Sequence, residues 1–150
     1  MKTIRARPIR PIRALLIEDN REDAVLMKIA FDKLKIPFQM TLVGDGQTAA
    51  TYLKNLEKAG AHHFDIIFLD LNIPLKPGLE VLAEIRLDPF FDDIPVIVLT
   101  GSDLNVHILD AYHSRANFYL HKPGNLDGLL EAMRHVETVW LKGIDREPVV

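Results

Sequence analysis

The sequence predicts an α/β domain with a doubly wound, five-stranded parallel sheet. Three observations carry that prediction. Five short apolar runs, Ala14–Ile17, Phe38–Val43, Phe64–Leu69, Ile94–Leu99 and Asn117–Leu120, alternate with segments of helical period. Ile66-Ile67-Phe68-Leu69 and Val96-Ile97-Val98-Leu99 are apolar at every position, as parallel strands buried on both faces are. Acidic, hydroxyl and basic side chains follow the apolar runs, where an open α/β sheet places its ligand site.

The elements follow in order. After the first run, Asn20 can cap a helix with Glu22 and Asp23 in its first turn, and Leu26, Ile29, Ala30, Lys33 and Leu34 form its stripe. A second helix is expected from about Gln47 to Lys58. A third starts near Gly78, with Leu79, Leu82, Ile85 and Arg86 on one face. The fourth is expected over about Asp103 to Ser114. The fifth begins near Asn125 and is expected to bury Leu126, Leu129, Leu130, Met133, Val136 and Trp140. Five β–α units of this kind imply right-handed crossovers with helices on both faces. They fit the flavodoxin-like strand order 2-1-3-4-5.

The 150 residues suit one domain, and 48% hydrophobic residues predict a folded globule. Residues 1–12 are expected to be a flexible basic tail, carrying Lys2, Arg5, Arg7 and Arg10 with Pro8 and Pro11. The domain is expected over 13–142 and a short tail over 143–150. A net charge of −3 argues against a nucleic-acid partner, and the lack of cysteine removes disulfide, thiolate and cysteine–zinc chemistry. No apolar run reaches the roughly 18 residues of a membrane helix, so no membrane role and a cytoplasmic location are expected.

The chemistry gathers at the strand ends. Glu18 and Asp19 follow the first run, Asp70 the third, Thr100, Gly101 and Ser102 the fourth, and Lys122 the fifth. Any one of these residues could be a cap or a solvated loop residue. Together, at one rim of one sheet, they have no economical structural explanation. Clustered carboxylates repel unless a cation joins them. Glu18, Asp19 and Asp70 offer the hard oxygens that suit Mg²⁺. Asp70 can act as a nucleophile and form an aspartyl phosphate. Mg²⁺, Lys122 and the Thr100 hydroxyl can each meet one phosphoryl oxygen.

These residues resemble the response-regulator receiver family. The matching segments are Ala14-Leu-Leu-Ile-Glu-Asp-Asn20, Asp70-Leu-Asn-Ile-Pro-Leu-Lys-Pro-Gly78, Val98-Leu-Thr-Gly-Ser102 and Tyr119-Leu-His-Lys-Pro123, within about Arg13 to Leu141. The resemblance implies phosphorylation of Asp70 by a sensor histidine kinase, with Glu18 and Asp19 as the acidic pair on Mg²⁺. It implies that the Asn72 backbone carbonyl completes the metal site, that Thr100 and Tyr119 are switch residues, and that Lys122 contacts the phosphate. Asp70-Leu-Asn-Ile-Pro, the Tyr112…Ala116-Asn117 spacing, the long connection Leu53–Phe64 and Glu137-Thr-Val-Trp-Leu141 are similar to small receivers that pair with phytochrome-type kinases. Such relatives lack an output domain, so the switch would act on a separate partner or relay phosphate to a histidine phosphotransfer protein. Pro77, where many receivers have Asp, and His121 depart from the pattern without removing a site group.

The expected role is a signalling switch rather than a metabolic enzyme, able to catalyse its own phosphorylation and dephosphorylation. A haloacid-dehalogenase-type phosphatase needs a second Asp two residues after its nucleophile, and that position is Asn72. An FMN carrier would have its phosphate repelled by Glu18 and Asp19. A receiver used as a phosphorylation-independent interaction module would typically lose one acid or the lysine. His62-His63 has no evident third ligand for a metal. A homodimer is expected through the fourth helix, fifth strand and fifth helix. Tyr112, Tyr119 and Val139-Trp140-Leu141 lie there, and Val139 and Leu141 project away from the Val136–Trp140 stripe. Packing of Val139 and Leu141 beneath the basic tail is the alternative.

Overall fold

The computed structural model describes residues 10–60, 64–101, 116–122 and 124–144. Their strands are β1 (Ile12–Ile17), β2 (Phe38–Val43), β3 (Ile66–Asp70), β4 (Val96–Thr100) and β5 (Phe118–His121). Their α-helices are α1 (Arg21–Lys33), α2 (Gly46–Lys58), α3 (Gly78–Leu87) and α4 (Leu126–Val136). All strand pairs are parallel and the order is β2-β1-β3-β4-β5, as the sequence predicts. The expected helix over 103–114, with Tyr112, His107 and His113, lies outside the described residues, as do Ser102, His62, His63 and Pro123.

Strand alternation divides the core into two layers. Ile12, Ala14 and Leu16, Ile66 and Phe68, Ile97 and Leu99, and Leu120 face α1 and α4. Leu15 and Ile17, Ile67 and Leu69, and Val96 and Val98 face α2 and α3. β3 and β4 are buried along their whole length, which explains their unbroken apolar sequence.

Several expectations shift by a residue or a turn. Ile12 opens β1 and is fully buried, and Arg10 makes two hydrogen bonds to Asp65, at 2.7 and 2.8 Å. Arg10 and Ile12, expected in the basic tail, thus pack against the sheet. The first helix buries Ala24, Met27, Ala30 and Phe31, while Leu26, Ile29 and Leu34 are only half-buried. Apolar residues occupy two adjacent faces of this helix, and the Phe31 ring decides between them by meeting Phe38 and Phe68. In α3 the buried set is Gly78, Val81, Leu82 and Ile85. Arg86 instead reaches the Ile94 carbonyl and the Asn117 side chain. The connection Leu53–Phe64 is helical as far as Lys58.

The end of the chain gives the largest correction. After Val136 the helix widens into a π-turn over Glu137–Leu141, closed by the Lys142 N–H donating to the Glu137 carbonyl at 3.0 Å. That extra residue rotates the phase, so Leu141 lies in the core beside Met133 and Val136. Val139 remains 52% exposed, while Leu126, Leu130 and Trp140 are half-buried. Leu141 is therefore not a surface residue. Ile144, expected in the C-terminal tail, packs against the same core.

One backbone outlier stands near the rim. Leu75 has φ +71° yet is 81% exposed. Such a conformation costs a non-glycine residue about 1 kcal/mol, and Asn tolerates it better. Its loop is held because the Gly46 N–H donates to the Pro74 carbonyl at 3.1 Å and Lys76 pairs with Glu84. Leu75→Asn is expected to raise stability by about 0.5 kcal/mol in urea unfolding; a loss of stability would show that the leucine side chain packs in solution.

Candidate active site

The strand order reverses at β1, between β2 and β3, and the site lies across the carboxyl ends of β1, β3, β4 and β5. Backbone ladders carry past the last strand residues and fix the site groups in place. The Glu18 N–H donates to the Val43 carbonyl (2.9 Å), the Leu71 N–H to Leu99 (3.1 Å) and the Lys122 N–H to Thr100 (2.7 Å). Gly78 opens α3 directly against the site strand, where an added Cβ would come within 2.6 Å of the Asp70 carbonyl oxygen. Only glycine lets that helix approach so closely.

Glu18, Asp70 and Thr100 are the buried polar residues among the described ones, at 2%, 3% and 3% exposure. Lys122 Nζ joins the acids, donating to Glu18 Oε1 at 2.6 Å and to Asp70 Oδ2 at 2.8 Å. Asp70 Oδ1 accepts the Asn72 backbone N–H at 2.9 Å. Glu18, Asp19 and Asp70 offer oxygens that all lie within 4.8 Å of one another. The structure thus brings together Glu18, Asp19, Asp70 and Lys122, with Asn72 beside Asp70. Thr100 ends the neighbouring strand in register with His121. Tyr119 is half-buried on the α2/α3 face, opposite Phe118 and Leu120.

A fourth acid belongs to the cluster and was not among the expected site residues. Asp23 Oδ2 accepts from Lys122 Nζ at 2.8 Å. In sequence it reads only as an acid in a first helical turn, because the partner that reveals it is 99 residues away.

Electrostatics sort these acids. Burial pushes the Glu18 carboxyl up to about 9, and a hydrogen bond shared with Asp70 adds to the rise against the pull of Lys122. Burial would also raise Asp70, but its bonds with Glu18, Lys122 and the Asn72 amide outweigh burial and hold it below its ordinary range. Lys122 gains more from Asp23, Asp70 and Glu18 than it loses by burial, so its ammonium is held more firmly than usual. The donor set suits a hard divalent cation. Glu18 Oε2 is buried with no hydrogen-bond partner, which leaves it free to ligate.

This sorting fixes a pH dependence. Between about pH 5 and 9 Glu18 keeps its proton in the folded state and loses it in the unfolded chain. Asp70 is ionised in both states there, and Lys122 is charged in both. The folded state therefore binds more protons, and metal-free stability falls as pH rises, by at most about 1.4 kcal/mol per unit. Chemical unfolding in chelator at pH 6 and pH 8 is expected to show the lower stability at pH 8. Equal or higher stability at pH 8 would contradict the shift.

Comparison with known proteins places this geometry. The chain belongs to the response-regulator receiver family, whose model, "Response regulator receiver domain", matches residues 14–134. It is a receiver of the two-component signalling class. It is 34% identical to response regulator Rcp1 of Synechocystis sp. over 131 residues, covering 87% of this chain and 89% of Rcp1. It is 34% identical to the probable methanogenesis regulatory protein FilR2 of Methanothrix harundinacea, covering 92% of this chain and 88% of that one. Among solved structures it is similar to the phosphorylated cyanobacterial phytochrome response regulator RcpA, with TM-score 0.77, 38% identity, and coverage of 89% of this chain and 96% of that one. The Mn²⁺-bound form of Rcp1 gives TM-score 0.75, 34% identity, and coverage of 93% and 100%. No helix among the described residues is long and apolar enough to cross a membrane.

Proposed function

We propose that this receiver accepts a phosphoryl group on Asp70 from a phosphohistidine of a sensor histidine kinase. The observation that carries the proposal is the setting of Asp70. It ends the central strand, is buried, and has one oxygen on the Lys122 ammonium and the other on the Asn72 amide. An Asp70 oxygen forms the new P–O bond as the donor's P–N bond breaks. The imidazole leaves with the electron pair of that bond and takes a proton from solvent. Lys122 neutralises one phosphoryl oxygen, and the Thr100 hydroxyl donates to another. Glu18, Asp19, Asp70 and the Asn72 backbone carbonyl are the groups that would hold Mg²⁺, which when bound neutralises charge on the carboxylates and on the phosphoryl oxygens. Rcp1 has been solved with Mn²⁺, and a sensor-kinase receiver from Pseudomonas aeruginosa, PA1611REC, with magnesium in its active-site cleft. Similarity to RcpA supports a kinase of phytochrome type.

Thr100 and Tyr119 carry the switch in this reading. A ligand shifts a two-state equilibrium only through contacts that differ between the states, and the Thr100–phosphoryl bond is such a contact. Drawing the hydroxyl inward frees space into which Tyr119 turns. The output is a changed affinity for a separate protein, for a histidine phosphotransfer protein, or for a second copy of the chain. The proposed self-contact uses residues 103–114, β5 and α4. β5 is a sheet edge, and Val139 supplies exposed apolar surface beside it; Leu141, being buried, takes no part.

The test is chemical. With phosphoramidate and Mg²⁺, the wild-type protein is expected to gain one hydroxylamine-labile phosphate, and Asp70→Asn none. Full labelling of Asp70→Asn would sink the assignment.

A further inference from the structure

We infer that Asp23 is a positioning residue for phosphoryl transfer, holding the Lys122 ammonium at the mouth of the site. The inference rests on the proposed role of Asp70 and adds a residue to it.

A lysine ammonium has three donor hydrogens, and here three carboxylates engage them. The bonds run to Glu18 at 2.6 Å, Asp23 at 2.8 Å and Asp70 at 2.8 Å. The three differ in depth. The Glu18 and Asp70 side chains are 1% and 4% exposed, whereas Asp23 is 36% exposed. Asp23 thus lies on the solvent side of the ammonium, and the other two lie beneath it. It is not one of the three acids, Glu18, Asp19 and Asp70, whose oxygens lie within 4.8 Å of one another, although its carboxyl meets that of Glu18.

That outer position gives Asp23 a task the others cannot perform. A cation drawn into the trio engages Glu18 and Asp70, which weakens their hold on the lysine. Asp23 keeps its bond. The ammonium is then tethered from the outside, facing the space in which a phosphoryl group must arrive. Untethered, a lysine side chain has four rotatable bonds and disperses over many rotamers.

The bland account of Asp23 is that it is an acid in the first turn of α1, stabilising the helix N-terminus, with its own N–H donating to Asn20 Oδ1 at 3.1 Å. That account explains a carboxylate at this position. It does not explain an oxygen 2.8 Å from a lysine 99 positions further along the chain, and it predicts no effect on chemistry.

The experiment measures labelling of the full chain by phosphoramidate in wild type, Asp23→Asn, Asp23→Ala and Asp23→Glu, across a Mg²⁺ titration. The expected result is a roughly tenfold lower maximal rate in Asp23→Ala and a smaller loss in Asp23→Asn, which keeps an acceptor oxygen. Partial recovery is expected in Asp23→Glu, with the Mg²⁺ concentration for half-maximal labelling unchanged in all. A helix-capping role would lower melting temperature without moving the rate. Unchanged or faster labelling in Asp23→Ala overturns the inference, since a faster rate would mean that Asp23 holds the lysine back. If wild type takes up no phosphate at Asp70, the reading of Asp70 fails separately. The lysine is then followed by nitrogen NMR with Mg²⁺ present. A slowly exchanging Lys122 ammonium in wild type that is lost in Asp23→Ala supports the tether, and one that persists in Asp23→Ala refutes it.

Discussion

Lys122→Ala is expected to destabilise the metal-free protein by about 3 kcal/mol at pH 8, the scale on which breaking a buried ion pair acts. The ammonium is the cation shared by Glu18, Asp23 and Asp70. Without it, two nearly buried carboxyls face each other, and Asp70 keeps the Asn72 amide and its bond with Glu18 as donors among the described residues. Part of the loss is offset as Glu18 retains its proton. Saturating Mg²⁺ is expected to recover most of the stability, because the cation substitutes for the ammonium's charge. It is not expected to recover labelling, which should remain about 100-fold slower because one phosphoryl oxygen has lost its counter-charge. Urea unfolding with and without Mg²⁺ separates the two effects. A metal-free variant as stable as wild type would show that the lysine does not hold the acids together.

The second large effect concerns the cation itself. A ligand that binds only the folded state stabilises it by about 2.7 kcal/mol at a hundred times its dissociation constant. For a chain of this length that corresponds to a rise in Tm of about 8 °C. The gain is expected to be larger at pH 8 than at pH 6, because the cation must displace the proton that burial keeps on Glu18. Asp19→Asn, which removes an exposed donor of the trio, is expected to reduce the gain. Differential scanning calorimetry at the two pH values measures it. A Tm indifferent to millimolar Mg²⁺ at pH 8 would contradict the metal role.

The strands and the site were legible in the sequence for the same reason. A strand buried on both faces must be apolar throughout, so β3 and β4 are visible as unbroken runs, and the first polar residue at each end marks the rim. Glu18, Asp70, Thr100 and Lys122 could therefore be assigned to one edge before any coordinates. Helix phase was less legible. α1 carries apolar residues on two adjacent faces, and only the Phe31 contacts with Phe38 and Phe68 select one. The π-turn after Val136 defeats any fixed period, since one extra residue per turn carries Leu141 inward and leaves Val139 outside. Long-range polar pairs were not legible at all. Arg10 with Asp65, Arg86 with Asn117 and Asp23 with Lys122 join residues 31 to 99 positions apart, and nothing local marks them as partners.

Chemical location of the phosphate tests the central claim most directly. Borohydride reduces an aspartyl phosphate to homoserine, which peptide mass spectrometry places to the residue. After phosphoramidate labelling in Mg²⁺, the account predicts homoserine at position 70 and at no other acid. Reduction at Glu18, Asp19 or Asp23, with Asp70 intact, would contradict it.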